Sequence, residues 1–340
     1  LTHRVKRHKR APEQTAAFAP AFSFSIFNEP KGITMMGHAM LAHSKRVERR
    51  NLRAGLLFSL PALLGFLLFT AGPMIISLVM SFTDYSIAKP VSFVGLKNYV
   101  DLFSGQDIFF WNSVKVTLIF ALCNVPACLV TAFLIALLLN MKKLPCLPFL
   151  RAVFYIPTII PIIATAMIFM WMMSPDFGLF NYLLELLGLP GSGWIYDASS
   201  VLPSLLMMTA WCSGNIMVVF LAALQGIPRS LYEAIEVDGG GQIRKFRHIT
   251  LPMMTPTIFF NLVMFMVSSL QAFLQAYIMT QGGPLNSTNY LVYYLYRTAF
   301  EFMEMGKASA LGWVLFVIIA SLAGLMFYLS KYWVVYGDER

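Results

Sequence analysis

One polar stretch carries much of the charge in the second half of this chain. Gly226 to Pro252 reads G-I-P-R-S-L-Y-E-A-I-E-V-D-G-G-G-Q-I-R-K-F-R-H-I-T-L-P and lies between two long apolar runs. It carries Glu233, Glu236, Asp238, Arg244, Lys245 and Arg247. The chemistry open to it is recognition rather than catalysis. The chain has no H-E-x-x-H motif and no paired intramembrane aspartates. Its Gly306-Lys307 pair is followed by alanine, so there is no phosphate-cradling P-loop and no ATP hydrolysis by this chain. Cys123, Cys128, Cys146 and Cys212 lack metal spacing and read as reduced packing residues. No catalytic residue and no metal site is expected. A second set is neutral: Trp211 and Asn215 in one apolar run, and Asn261, Ser268, Ser269, Gln271 and Gln275 in the next. Amides beside aromatic faces suit the hydroxyls and CH faces of sugars, and the same groups also hold membrane helices together.

The elements that must position the charged stretch read as helix, break, helix. Pro228 suits a first helical turn, where its missing N–H would lack a partner anyway. Ile227, Leu231, Ala234 and Ile235 recur at helical spacing and predict one apolar face. Gly239, Gly240 and Gly241 then stop the helix, because glycine takes positive φ without steric cost. A second short helix is predicted from Gln242 to Ile249, ending before Pro252. A small helix with an apolar face between two membrane spans has little of its own chain to bury against. It is expected to dock on another protein.

The rest of the chain sets this stretch in a membrane. Of 340 residues, 58% are hydrophobic and 12% charged, about half the charge of a soluble domain. Six apolar runs approach the length that crosses a bilayer core of about 30 Å. They are residues 54–82, 114–140, 151–173, 201–224, 255–279 and 308–330. From residue 40 onward, fourteen Lys and Arg fall on the side of the Glu233 stretch and five on the other. This puts that stretch and both termini in the cytoplasm. The net charge of +9 therefore reflects topology and not nucleic-acid binding. Residues 1–50, with Arg4, Lys6, Arg7, Lys9 and Arg10, read as a largely disordered cytoplasmic extension resting on anionic lipid. Basic residues continuing to Arg50 disfavour a cleaved signal peptide. No span has an acidic residue at its centre or an arginine ladder, which argues against proton coupling and voltage sensing.

The run Glu233-Ala234-Ile235, Asp238-Gly239, Phe246, Ile249, Leu251-Pro252 resembles the EAA loop of the membrane subunits of bacterial binding-protein-dependent ABC importers. Ile235 and Gly240 depart from it, standing where the family usually has alanine. Phe93-Val94-Gly95-Leu96-Lys97-Asn98-Tyr99 and Gly282-Gly283-Pro284 are similar to stretches of the sugar (maltose-type) branch. The resemblance covers residues 52–335. It implies an all-α membrane protein with the six-helix type I importer fold and a coupling loop at 226–252. It further implies a second, similar permease as heterodimer partner, two cytoplasmic ATPase subunits, an outer solute-binding protein and a carbohydrate substrate. ATP and Mg would bind the ATPase, leaving this chain without a cofactor. Leu231, Glu233, Ala234, Ile235, Asp238 and Gly239 would form the coupling site. Glu233 would pair with a basic ATPase residue, Ala234 would sit against the socket wall, and Leu231 and Ile235 would fill apolar space. Ser269 and Gln271 fall at positions matching the family's sugar contacts, and Asn215 with its neighbour Trp211 falls near them. Ala272 stands where that family can carry an amide. A self-sufficient secondary transporter or channel is the alternative, and it leaves the Glu233 stretch unexplained.

Overall fold

The computed structural model describes residues 51, 54–86, 90–141 and 144–335. The expected N-terminal extension lies outside the described residues. The chain divides into a unit ending at Thr70 and a unit from Ala71 onward. In the first, the described residues are helical, apolar and exposed, as a lipid-facing segment would be.

Among the described residues, four helices are long and apolar enough to cross a membrane: α1 (Ala54–Met80), α3 (Ile108–Leu139), α10 (Gln242–Leu270) and α12 (Met305–Ser330). Two bent pairs complete six spans if each pair crosses once. They are α4 (Leu147–Ile159) with α5 (Ile162–Met172), bent by 99°, and α7 (Val201–Trp211) with α8 (Gly214–Gly226), bent by 50°. Shorter helices are α2 (Lys97–Phe103), α6 (Leu179–Leu186), α9 (Arg229–Val237) and α11 (Leu291–Tyr296). Among the described residues the only β pairing is two isolated bridges, Thr83 with Phe93 and Ser86 with Glu304.

The core of the second unit lies where α3, α8 and α10 meet. Val125, Cys128, Ala132, Ala136, Phe220 and Met254 are buried there. Small residues on α3 let the helix backbones approach, which is how packing is gained where lipid is as apolar as leucine. The α7–α8 break has a similar cause: a Cβ on Gly214 would lie 2.4 Å from Thr158 Oγ1 and 2.7 Å from the Phe154 carbonyl.

The fifth span differs from its expected bounds of 255–279. The helix begins at Gln242, passes Pro252 and Pro256, and ends at Leu270. The second short helix predicted at 242–249 is therefore its first turns and not a separate element. A π-helical turn over Phe246–Thr250 makes this possible, with the Leu251 N–H donating to the Phe246 carbonyl. The widened turn takes up the missing N–H of Pro252 without stopping the chain. The tyrosine-rich segment after Gly282 holds α11 and a π turn over Arg297–Glu301 rather than an open loop. Tyr290 is buried there against Phe120, ring centroids 4.8 Å apart.

At the end of the bundle opposite α9, two side-chain clusters tie elements together. Asn98 Nδ2 donates to the Ser81 and Thr83 carbonyls at 2.8 and 3.0 Å, and the Tyr99 hydroxyl donates to Ser81 Oγ at 2.8 Å. This gives a physical reason for the Asn98-Tyr99 pair: α2 satisfies carbonyls at the C-terminal end of α1. Asp107 caps α3, accepting from the Phe109 and Phe110 N–H groups at 3.0 and 3.1 Å. It also accepts from the Tyr294 hydroxyl and pairs with Lys307 Nζ at 2.7 Å. Its side chain is only 4% exposed.

Candidate functional site

The charged stretch forms α9, a turn, and the N-terminal turns of α10. The turn is a Schellman closure: the Gly240 N–H donates to the Ile235 carbonyl at 2.8 Å and the Gly239 N–H to the Glu236 carbonyl at 3.0 Å. Gly239 sits at φ +72°, where a side chain would be strained. Lys245, on the first turn of α10, pairs with Glu236 near the end of α9. Tyr232 and Thr250 hydroxyls lie 3.0 Å apart across the same angle. Two side-chain ties and the closed turn therefore hold α9 against α10.

The expected single apolar face is corrected by this geometry. Ile227 is buried, and Tyr232 and Ile235 pack half-buried against the core where α3, α8 and α10 meet. Leu231, Glu233, Ala234, Val237, Asp238 and Gly239 are exposed. Ile235, expected to fill apolar space in a partner, faces its own chain, because the side opposite Leu231 and Ala234 rests on the α10 root. Leu231 is 40% and Val237 88% exposed, and Ile243 at the start of α10 is 84% exposed. Glu233 makes no ion pair among the described residues. The result is a short helix closed at its C-terminal end, presenting apolar side chains beside the Glu233 and Asp238 carboxylates, neither of which is in an ion pair among the described residues. Such a surface suits a protein socket.

The neutral residues divide. A cavity of about 290 Å³ lies between α3, α7, α8 and α10, at the α7–α8 break. Asn215 and Ser269 line it, as do Ser268 and Gln275. Trp211 and Gln271 are not among its lining residues. The Trp211 ring lies tilted against Phe169, centroids 5.5 Å apart, and Gln271 is exposed just past the end of α10. Three polar residues of the wall were missed in the sequence: Asn124 on α3, Thr209 on α7 and Ser213 at the α7–α8 break. Asn124 is 3% exposed; its Nδ2 donates to Ser269 Oγ at 3.0 Å, and its Oδ1 accepts from Thr209 Oγ1 and from Cys128 Sγ, the latter at 3.4 Å. The signal available was an amide flanked by apolar residues in the middle of a span. Among the described residues, no group of three or more His, Cys, Asp or Glu could hold a metal ion.

Comparison with known proteins bears on this arrangement as a whole. Over 312 residues the chain is 38% identical to a probable ABC transporter permease protein, YesP, of Bacillus subtilis, covering 91% of this chain and all of that protein. It is 33% identical to the lactose transport system permease protein LacF of Rhizobium radiobacter, covering 82% and 94% of the two chains. The fold superposes with a TM-score of 0.74 and 25% identity on a crystal structure of a bacterial ABC transporter involved in import of the acidic polysaccharide alginate, covering 84% of this chain and 99% of that one. Residues 129–335, which hold both the exposed α9 surface and nearly all of the cavity wall, match the family described as binding-protein-dependent transport system inner membrane component, and the chain belongs to that family of multi-pass ABC importer permeases.

Proposed function

We propose that this chain is one membrane half of an ATP-driven importer for a carbohydrate, delivered by an extracytoplasmic binding protein. The observation that carries the reading is α9: a closed, braced helix exposing Leu231, Ala234, Val237 and a Glu233 that makes no ion pair among the described residues. A partner ATPase subunit holds this helix in a socket, and a basic residue of the ATPase pairs with Glu233. Closure of the ATPase dimer on ATP and Mg moves α9, and the ties to α10 pass the movement into the membrane helices. Ile235 supports α9 from beneath rather than entering the socket. Asp238 and Gly239 shape the turn that keeps α9 at its angle. A second, homologous permease supplies the other half of the path. The basic residues clustered on the α9 side support a cytoplasmic placement for it and for both termini, in the inner membrane of a bacterium. The carbohydrate class is supported by relatives whose own names specify sugars.

The test is assembly and uptake of the whole complex. A desolvated Glu233 pair contributes to docking, and truncation is expected to weaken it by roughly 2–5 kcal/mol. Glu233→Ala should therefore reduce ATPase co-purification and uncouple uptake from ATP, and Gly239→Pro should do the same by deforming the turn. Unchanged co-purification and normal uptake in both variants would discard the coupling role.

A further inference from the structure

From the cavity at the α7–α8 break we infer that this subunit passes an uncharged glycosyl unit and rejects uronates, and that Asn124 is a positioning residue for that selection. The inference rests on the carbohydrate reading above. Among the described residues the cavity wall contains no carboxylate, ammonium or guanidinium group; its polar members are Asn124, Thr209, Ser213, Asn215, Ser268, Ser269, Gln275 and the Cys212 thiol. A carboxylate entering here would lose water and find on this subunit's wall only amides, hydroxyls and a thiol, with no cation to pair with. A neutral sugar ring brings hydroxyls, which both donate and accept, and CH faces for the Phe120 and Phe265 side chains in the wall. At about 290 Å³ the cavity is at the small end for a ligand site and fits one sugar unit rather than an oligomer at once.

Asn124 sets the wall's polarity. Thr209 and Cys128 both donate to its oxygen, so its NH₂ faces Ser269. Ser269 Oγ accepts that bond, and its own proton has no acceptor among the described residues. A hydroxyl held this way offers its donor to whatever occupies the cavity. Asn124 thus acts through Ser269.

The complete complex, with its co-purifying permease, ATPases and binding protein, is placed in proteoliposomes and supplied with maltotriose, arabinotriose, lactose or trigalacturonate. At least one neutral sugar should be imported and trigalacturonate should not. For the imported sugar, Asn124→Leu and Ser269→Ala should each lower the maximal rate about tenfold, with KM, set outside the membrane, within about twofold. The double variant should be no slower than Ser269→Ala alone, since Asn124 acts only through the donor that Ser269→Ala removes. Ser269→Thr, which keeps the hydroxyl, should retain most of the rate. Rapid trigalacturonate import, an unaffected Ser269→Ala, or additive losses would overturn the inference. Import of none of the four sugars by the unaltered complex would overturn the carbohydrate reading, and the inference with it.

Discussion

Ile235 and Gly240 depart together from the alanines usual at those positions in the importer pattern, and the geometry couples them. A Cβ at Gly240 would lie 2.3 Å from Ile235 Cγ2 and 3.0 Å from the Ile235 carbonyl. The larger side chain at one position occupies the space left by the smaller at the other. Gly240→Ala alone should therefore strain the turn by about 1–3 kcal/mol. Ile235→Ala together with Gly240→Ala should recover most of that loss, as read by hydrogen exchange of the Gly239 and Gly240 amides. Independent, additive effects would contradict the pairing. At this scale the sequence was informative where signals are local. Pro228, the helical spacing of the apolar residues and the glycine run marked α9 and its end. It was silent on direction: Ile235 and Leu231 share helical spacing, and only the position of the α10 root decides which of them meets solvent. Asn124 was missed for a related reason. Its partners Thr209 and Ser269 are 85 and 145 residues away, so no window of sequence contains the network.

Among elements, the join of α3 and α12 at Asp107 and Lys307 is the most exacting. Burial pushes the Asp107 carboxyl up, but hydrogen bonds from Lys307 and Tyr294 outweigh it and hold the group below the usual carboxylate range. A carboxyl depressed in the folded state contributes stability at pH above its unfolded value, and that contribution fades as pH falls through its folded value. Thermal unfolding of the detergent-purified complex should accordingly lose stability below the ordinary carboxylate range near pH 4. Asp107→Asn should flatten that part of the profile. Lys307→Met leaves a buried carboxylate without its cation and should destabilise the neutral-pH complex by about 3–5 kcal/mol. A Lys307→Met complex with an unchanged unfolding temperature would show that the pair is not holding these helices. Spans as apolar runs were legible because length and hydropathy suffice to find them. Their breaks and ends were not. Pro252 reads as a stop, yet the π turn before it carries the helix through. The α7–α8 break depends on Gly214 approaching α4, a contact invisible from either segment alone.

For the whole molecule, the account requires one orientation and one motor. The α6 loop and α9 should face opposite sides of the membrane. Single cysteines at Asp197→Cys and Arg247→Cys, introduced with the native cysteines replaced, should label from outside and from inside respectively with an impermeant maleimide. Labelling of both from one side would reverse or remove the assigned topology. The six-span architecture follows from helix length and composition. The assembly around it does not, because a chain's own residues show only the surface it leaves uncovered.

The most direct test of the central claim is a crosslink from α9 in the intact, transporting complex. Val237, 88% exposed at the end of that helix, is replaced by a photoreactive residue and irradiated with and without ATP. The account predicts a covalent adduct to an ATPase subunit in both conditions, with the crosslinked ATPase peptide changing when ATP closes the dimer. An adduct to lipid or to the outer binding protein, or none to an ATPase while uptake continues, would contradict it.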